Sequence, residues 1–361
     1  MKTVLYICGA GRGRYEDDVA YMRLMEFIFE NYRGDIKVKL LSVNGDKKIT
    51  EFANLYDFYL IGGGTCITNR FQPYADQIAV SLSEFDLRYG FFGVSTYLDP
   101  FPGPQRTNLR REKNALLRAE FFSVRDSASV RFLNAWLGTS EGPELDIGVC
   151  HDPGLTVKPR DVHNIGLDCT DWHERVIGIN LQYGQDDSFG TIRIDRKQYL
   201  RRFTDFIQKF RSSYTFLHVP FNDTDTYHDR ELENHGVICL PYMTPDYTAG
   251  FVSLCDYFVG TRLHADVTAT ALEVPFIPLC GSEANYQFLE HIGFSHRDIV
   301  MPDDVSNGIV FLEDEFIKLQ NNQNRLSLAG QLKKVVQGAR QDYRSEAHRL
   351  CRCILEQDLD I

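Results

Sequence analysis

The sequence lacks several features that would have fixed its class at once. Its nine cysteines, Cys8, Cys66, Cys150, Cys169, Cys239, Cys255, Cys280, Cys351 and Cys353, form no CxxC pair and show no zinc-ligand spacing. They lie mostly in apolar runs and read as reduced core residues of a cytoplasmic protein, with no metal expected. No apolar run approaches the ~20 residues that span a bilayer. The N-terminal Val4–Cys8 run is short and passes straight into Arg12, Arg14, Glu16, Asp17 and Asp18, so it reads as a first strand and not as a signal peptide. A basic excess is also missing: the net charge is −11, which argues against a nucleic-acid surface. Any anionic ligand must then be held by a few local arginines. There is no P-loop, no short-period repeat and no low-complexity tract. The expected protein is soluble and cytoplasmic, at most peripheral to the inner face of the cytoplasmic membrane.

What the sequence does contain is strand and helix patterning in alternation. At 361 residues with 43% hydrophobic content, two domains are expected. In the first half, Val4–Cys8, Ile36–Val43, Phe58–Ile61, Phe91–Val94 and Phe121–Val124 read as strands, and Asp18–Asn31, Arg110–Ala119 and Asp126–Leu137 as helices, the last capped by Asp126-Ser127. A polar, turn-rich stretch from His151 to His173 reads as a linker. The alternation then restarts with strands at Val176–Leu181, Tyr214–Val219, Gly236–Leu240, Tyr257–Gly260 and Phe276–Cys280 and helices at Arg196–Phe210, Pro245–Cys255 and Val267–Leu272. Such βαβ order implies parallel sheets covered by helices. The fold expected is α/β: Rossmann-like domains over 1–155 and 172–325 with a cleft between them. A long C-terminal helix over 326–361 packs back on the body.

The stretch around which the chain is organised is Thr261-Arg262-Leu263-His264-Ala265. It follows a buried strand and precedes a helix, the strand-to-helix turn where open α/β sheets bind ligands and where helix N–H groups suit an anion. Arg262 and His264 would serve a phosphate or carboxylate; an interdomain salt bridge and a helix cap are the structural alternatives. Arg125, in Ser123-Val124-Arg125-Asp126, ends a strand of the first domain. It either faces Arg262 across the cleft, holding a small dianion between two guanidinium groups, or pairs with Asp126 or Asp152. His218 is a core histidine or a residue of the cleft, and the acidic loop Asn222–Asp225 either binds a sugar hydroxyl or is a solvated turn. Gly62-Gly63-Gly64-Thr65 ends a strand where backbone can approach a ligand, or is simply a tight turn. Gly9-Ala10-Gly11-Arg12-Gly13 has the wrong third spacing for a dinucleotide fingerprint, and Arg14–Asp18 fills the place where the phosphate-binding helix should begin, which disfavours a dinucleotide pyrophosphate.

Taken in order, Asp57–Gly64, Ser123–Asp126, Asp152–Leu155, Ile177–Leu181, Cys255–Ala265 and Val274-Pro275 resemble the polysaccharide pyruvyl transferase family. The resemblance implies a GT-B-like pair of domains and a reaction in which phosphoenolpyruvate gives its pyruvyl group to two sugar hydroxyls as a cyclic ketal. It implies Arg262 and Arg125 as anchors of the donor, with Leu263 and His218 beside it, and His264 as general acid or base. Asp17, Gly63, Gly64 and Thr65 fall on the acceptor side. The acceptor is a lipid-linked or nucleotide-linked sugar of surface polysaccharide synthesis, and no cofactor is required. Two departures stand out: Arg14-Tyr15-Glu16-Asp17 keeps only the Asp of the family's first turn, and the segment Gly281–Phe288 after Val274-Pro275 lacks the lysine that members often carry there. A nucleotide-sugar glycosyltransferase and a non-catalytic assembly partner are the alternative readings.

Overall fold

The computed structural model describes residues 1–11, 14–42, 49–63, 65–68, 75–97, 109–137, 146–163, 172–181, 196–280, 282–301, 304–305 and 307–357. The chain divides into two compact units, one made of Met1–Thr156 with Gly338–Ile361, the other of Val157–Gln337. The first carries β1 (Lys2–Cys8), α1 (Tyr15–Asn31), β2 (Ile36–Ser42), β3 (Phe58–Gly62), β4 (Thr65–Thr68), α2 (Ala75–Glu84), β5 (Tyr89–Tyr97), α3 (Leu109–Leu117), β6 (Phe121–Val124), α4 (Ser127–Leu137) and β7 (Ile147–Val149). All its strand pairs are parallel, in the order β2-β1-β3-β5-β6-β7, with β4 also beside β5.

Strand alternation divides the core of this unit in two. Leu5, Ile7, Tyr59 and Ile61 face one side and pack with residues of α2, α3 and α4. Val4, Tyr6, Phe58 and Leu60 face the other and pack with α1 and with Tyr343, Ala347, Leu350 and Ile354 of the C-terminal helix. Successive strand residues point to opposite faces, and a parallel sheet buried on both sides needs an unbroken apolar run, which is why Phe58–Ile61 has no polar position.

The second unit follows with β8 (Val176–Asn180), α5 (Arg196–Phe210), β9 (Thr215–His218), α6 (Asp229–Asn234), β10 (Ile238–Cys239), α7 (Pro245–Ser253), β11 (Tyr257–Gly260), α8 (Leu263–Ala271), β12 (Phe276–Ile277) and α9 (Glu283–His291). Its sheet is parallel in the order β10-β9-β8-β11-β12. The order in which strands are added therefore reverses between β8 and β11, and in the first unit between β1 and β3. Crevices for ligands open at the carboxyl ends of such strand pairs.

The expected elements recur with shifted ends. The helix after β11 begins at Leu263 and not at Val267, because Arg262 is extended and the helix starts directly behind it. Asp126 caps α4 as expected, accepting from the Ser129 amide at 2.6 Å. The start of the supposed linker belongs to the first unit: Pro153–Thr156 is one turn of 3-10 helix with Pro153, Gly154 and Leu155 buried. The last helix runs from Asn322 to Leu355, and its second half belongs to the first unit from Gly338 on.

Leu350 is fully buried against β1, β3 and α1. Leu350→Ala should lower the stability of the first unit by about 2–5 kcal/mol, read as an earlier urea midpoint by circular dichroism.

Candidate functional site

At the reversal point of the second sheet, Gly260 lies opposite Asn180, and the Thr261 amide donates to the Asn180 carbonyl at 3.2 Å. Arg262 leaves the strand extended (φ −84, ψ 140) and α8 starts with Leu263. A Cβ on Gly260 would fall 2.6 Å from the Cβ of Ala265, so only glycine lets the first turn of α8 sit this close to the strand. Leu263 is half-buried and His264 buried in that first turn.

The guanidinium of Arg262 is held from behind. Its Nε donates to both carboxylate oxygens of Asp225, at 2.7 and 2.8 Å, and Nη2 pairs with Oδ1. Asp225 also accepts from the Asn180 side-chain amide at 3.1 Å and from the Phe221 backbone amide at 2.9 Å. The carboxylate is buried, at 2% exposure, and its charge is met by the guanidinium and by directed N–H groups, as a buried charge requires. This bond lies inside the second unit and corrects the interdomain alternative. In the acidic loop Asp225 is buried on Arg262, whereas Asp223 and Thr224 are exposed, as the solvated-turn reading has it. Among the described residues Arg262 Nη1 has no partner, and Asn180 Oδ1 is a buried acceptor without a donor.

In the first unit Asp17, on α1, is buried at the reversal point between β1 and β3. A Cβ on Gly9 would fall 2.2 Å from Asp17 Oδ2, and one on Gly63 2.9 Å from Oδ1; Gly63 also has a left-handed φ of 77. The two glycines thus make the cradle that admits the carboxylate. The Gly11 amide donates to Asp18 Oδ1, so a carboxylate occupies the place of a pyrophosphate. Thr65 opens β4 beside Ser95, and Gly64 lies outside the described residues.

Arg125 is buried with Nη1 on Asp152 Oδ2 at 3.0 Å and Nη2 on the Ser95 hydroxyl. The pairing with Asp152 is therefore realised, in the first unit, while Arg262 stands in the second. His218 ends β9, fully buried, with Nδ1 2.9 Å from Asp229 Oδ1 and Nε2 without a partner. Sequence reasoning missed Asp229 and Cys239, which the fold places next to His218; in-register strand pairing brings Cys239 there, and the start of α6 brings Asp229. It also missed Asn180 and the paired residues Asp266 and Asn285.

A model of the polysaccharide pyruvyl transferase family matches residues 14–279, well over half of the chain and all of the elements from α1 to β12. The chain belongs to this family. No curated protein matches it in sequence. Among solved structures, this pyruvyl transferase family member is similar to MnaA of S. aureus solved with UDP (TM-score 0.61, 10% identity, 97% of this chain and 95% of that one). It is also similar to the UDP-GlcNAc 2-epimerase of Neisseria meningitidis bound to UDP-GlcNAc (0.57, 11%, 98% and 100%) and to a UDP-N-acetylglucosamine 2-epimerase from Listeria monocytogenes (0.60, 12%, 97% and 94%). At these identities the likeness establishes the fold, two Rossmann-like units of the GT-B type.

Behind His264 the transferase carries a buried polar pair. Asp266 Oδ2 accepts from the Asn285 side-chain amide at 3.0 Å, while Asp266 Oδ1 and Asn285 Oδ1 both lack a donor. Burial pushes the Asp266 carboxyl well above its ordinary range. A proton on Asp266 supplies the missing donor, so the neutral acid satisfies the α8–α9 contact better than the carboxylate does. Because the folded pKa lies above the unfolded one, Asp266 favours folding below the unfolded value of 3.8, and this contribution is lost as pH rises toward the folded pKa. The slope in that window is at most about 1.4 kcal/mol per pH unit. Asp266→Asn, a neutral isostere, should flatten this slope and raise the melting temperature relative to wild type at pH 8; an unchanged pH profile would show the carboxyl to be ionised in the fold.

Proposed function

We propose that this family member transfers the pyruvyl group of phosphoenolpyruvate to two hydroxyls of a sugar, forming a cyclic ketal and releasing phosphate. The observation that carries the reading is the Asp225-braced Arg262 at the head of α8, one residue from Leu263 and two from His264. A braced guanidinium with Nη1 open offers fixed N–H donors to a carboxylate or phosphate, and the start of α8 adds its dipole. Arg125 and His218 remain part of the proposed donor set, in supporting positions, since both are buried with carboxylate partners of their own.

In the proposed chemistry the enol C3 of phosphoenolpyruvate gains a proton, positive charge develops at C2, and the first sugar oxygen bonds there. The C2–O bond to phosphate breaks and the second sugar oxygen takes its place. Of the two hydroxyl protons, one is balanced by the proton gained at C3 and the other leaves with phosphate. In this reading His264 moves one of them, as general acid or base. Asp17, cradled by Gly9 and Gly63, is the carboxylate suited to accept from sugar hydroxyls, with Gly64 and Thr65 following it. The acceptor is a lipid-linked or nucleotide-linked sugar of polysaccharide synthesis. No helix among the described residues is long and apolar enough to cross a membrane, in keeping with action on a soluble or membrane-surface substrate from the cytoplasmic side.

The solved structures holding UDP or UDP-GlcNAc favour one second reading, a nucleotide-sugar enzyme on the same fold. A thermal-shift titration separates the two, because a ligand that binds the native state raises its melting temperature. Phosphoenolpyruvate should stabilise wild type and not Arg262→Ala. His264→Ala should keep the shift and lose about 10²–10⁴-fold in turnover. Stabilisation by UDP with none by phosphoenolpyruvate would transfer the assignment to the second reading.

A further inference from the structure

The second sheet holds a further cluster, built on His218, whose other two members the proposed transfer does not use. His218 and Cys239 end adjacent parallel strands and face each other in register. Asp229 opens α6, the crossover helix between those strands. One donor atom from each residue, an imidazole nitrogen, a carboxylate oxygen and the thiol sulfur, lies within 4.8 Å of the other two.

Around a tetrahedral zinc ion with bonds of roughly 2.0–2.3 Å, neighbouring donors stand some 3.3–3.8 Å apart, so the observed spread needs only small side-chain movement. The donor set also suits such an ion chemically. A thiolate and a carboxylate together cancel a double positive charge, and sulfur with imidazole selects a borderline-soft cation over magnesium or calcium. The Asp229 side chain is a quarter exposed while His218 is fully buried, which gives an entry path on one side and a dry wall on the other. The imidazole is not saturated by its neighbours: Nδ1 meets Asp229 Oδ1 at 2.9 Å and Nε2 is buried with no partner, a state that calls for a role beyond packing.

We propose that His218, Asp229 and Cys239 form a binding site for a single zinc-class transition-metal ion, with the fourth coordination position left to water. The ion ties the edge strand β10 and helix α6 to β9. On binding, Asp229 moves from its hydrogen bond with the imidazole to the metal, and the thiol gives up its proton to solvent. The site shares His218 with the proposed donor set but does not rest on phosphoenolpyruvate being the donor, since its test reads metal uptake and not turnover.

The test uses tag-free, full-length protein stripped with a chelator, then titrated with Co²⁺ and Zn²⁺. Wild type should take up one equivalent of cobalt with a thiolate-to-cobalt charge-transfer band that zinc abolishes, and zinc should raise the melting temperature. Cys239→Ser should lose the band, and Asp229→Asn and His218→Gln should each weaken zinc at least tenfold while keeping the native circular dichroism spectrum. Cys353→Ser, which alters another half-buried thiol, should change nothing. No band in wild type, or a band that survives Cys239→Ser, overturns the proposal and leaves the three residues a metal-free hydrogen-bonded group.

Discussion

The carboxylate of Asp225 is the point on which the second unit's ligand edge depends. It is buried beside the ends of three strands, and taking an uncompensated charge out of water at such a place is prohibitive. The fold compensates it by converging Arg262 from the end of β11, Asn180 from the end of β8 and the Phe221 amide from the turn after β9. The three strand ends are thereby locked to one another. Removing Arg262 would leave the Asp225 carboxylate buried without its ionic partner, which destabilises by more than the bond contributes.

Much of this architecture was written in local patterns. Strands such as Phe58–Ile61 and Tyr257–Gly260 are apolar because both faces are covered, and a continuous apolar run bounded by glycine is visible without any structure. Asp126 was legible as a cap because capping is local. What escaped was non-local or short. β7 has three residues, all half-buried, and gives no periodic signal. α9 carries Asn285, Tyr286 and Gln287 in mid-helix, a composition that mimics a loop. Its buried Asn285 is explained only by Asp266, nineteen positions away.

The same limit governed the site. Arg262, Leu263 and His264 were recognisable from a strand, a turn and a helix in succession, all within ten residues. Asp225 read as one of several acids in a polar loop, because its partner is 37 positions distant. Asp17 was conspicuous as the residue kept from the family's first turn, yet its cradle required knowing that Gly9 and Gly63 end adjacent strands. For Arg125 the sequence offered Asp126 or Asp152; register decided for Asp152, since β6 and β7 are paired and their carboxyl ends lie together.

The two arginines that the sequence makes conspicuous are thus each joined to a buried aspartate, and this bears on how an acidic chain of net charge −11 can hold an anion. A guanidinium paired with a carboxylate has little net field, so it attracts an anion weakly at long range. What the pair retains is direction: Asp225 consumes the Nε and Nη2 edge of Arg262 and fixes the plane in which Nη1 can donate. Binding through oriented N–H groups selects a ligand by the geometry of its oxygens more than by its charge. For the proposed reaction, which would release inorganic phosphate, this would be an advantage, since a strongly cationic pocket would hold substrate and product alike, whereas a geometric one can favour the arrangement in which carboxylate and breaking phosphate bond are both in place.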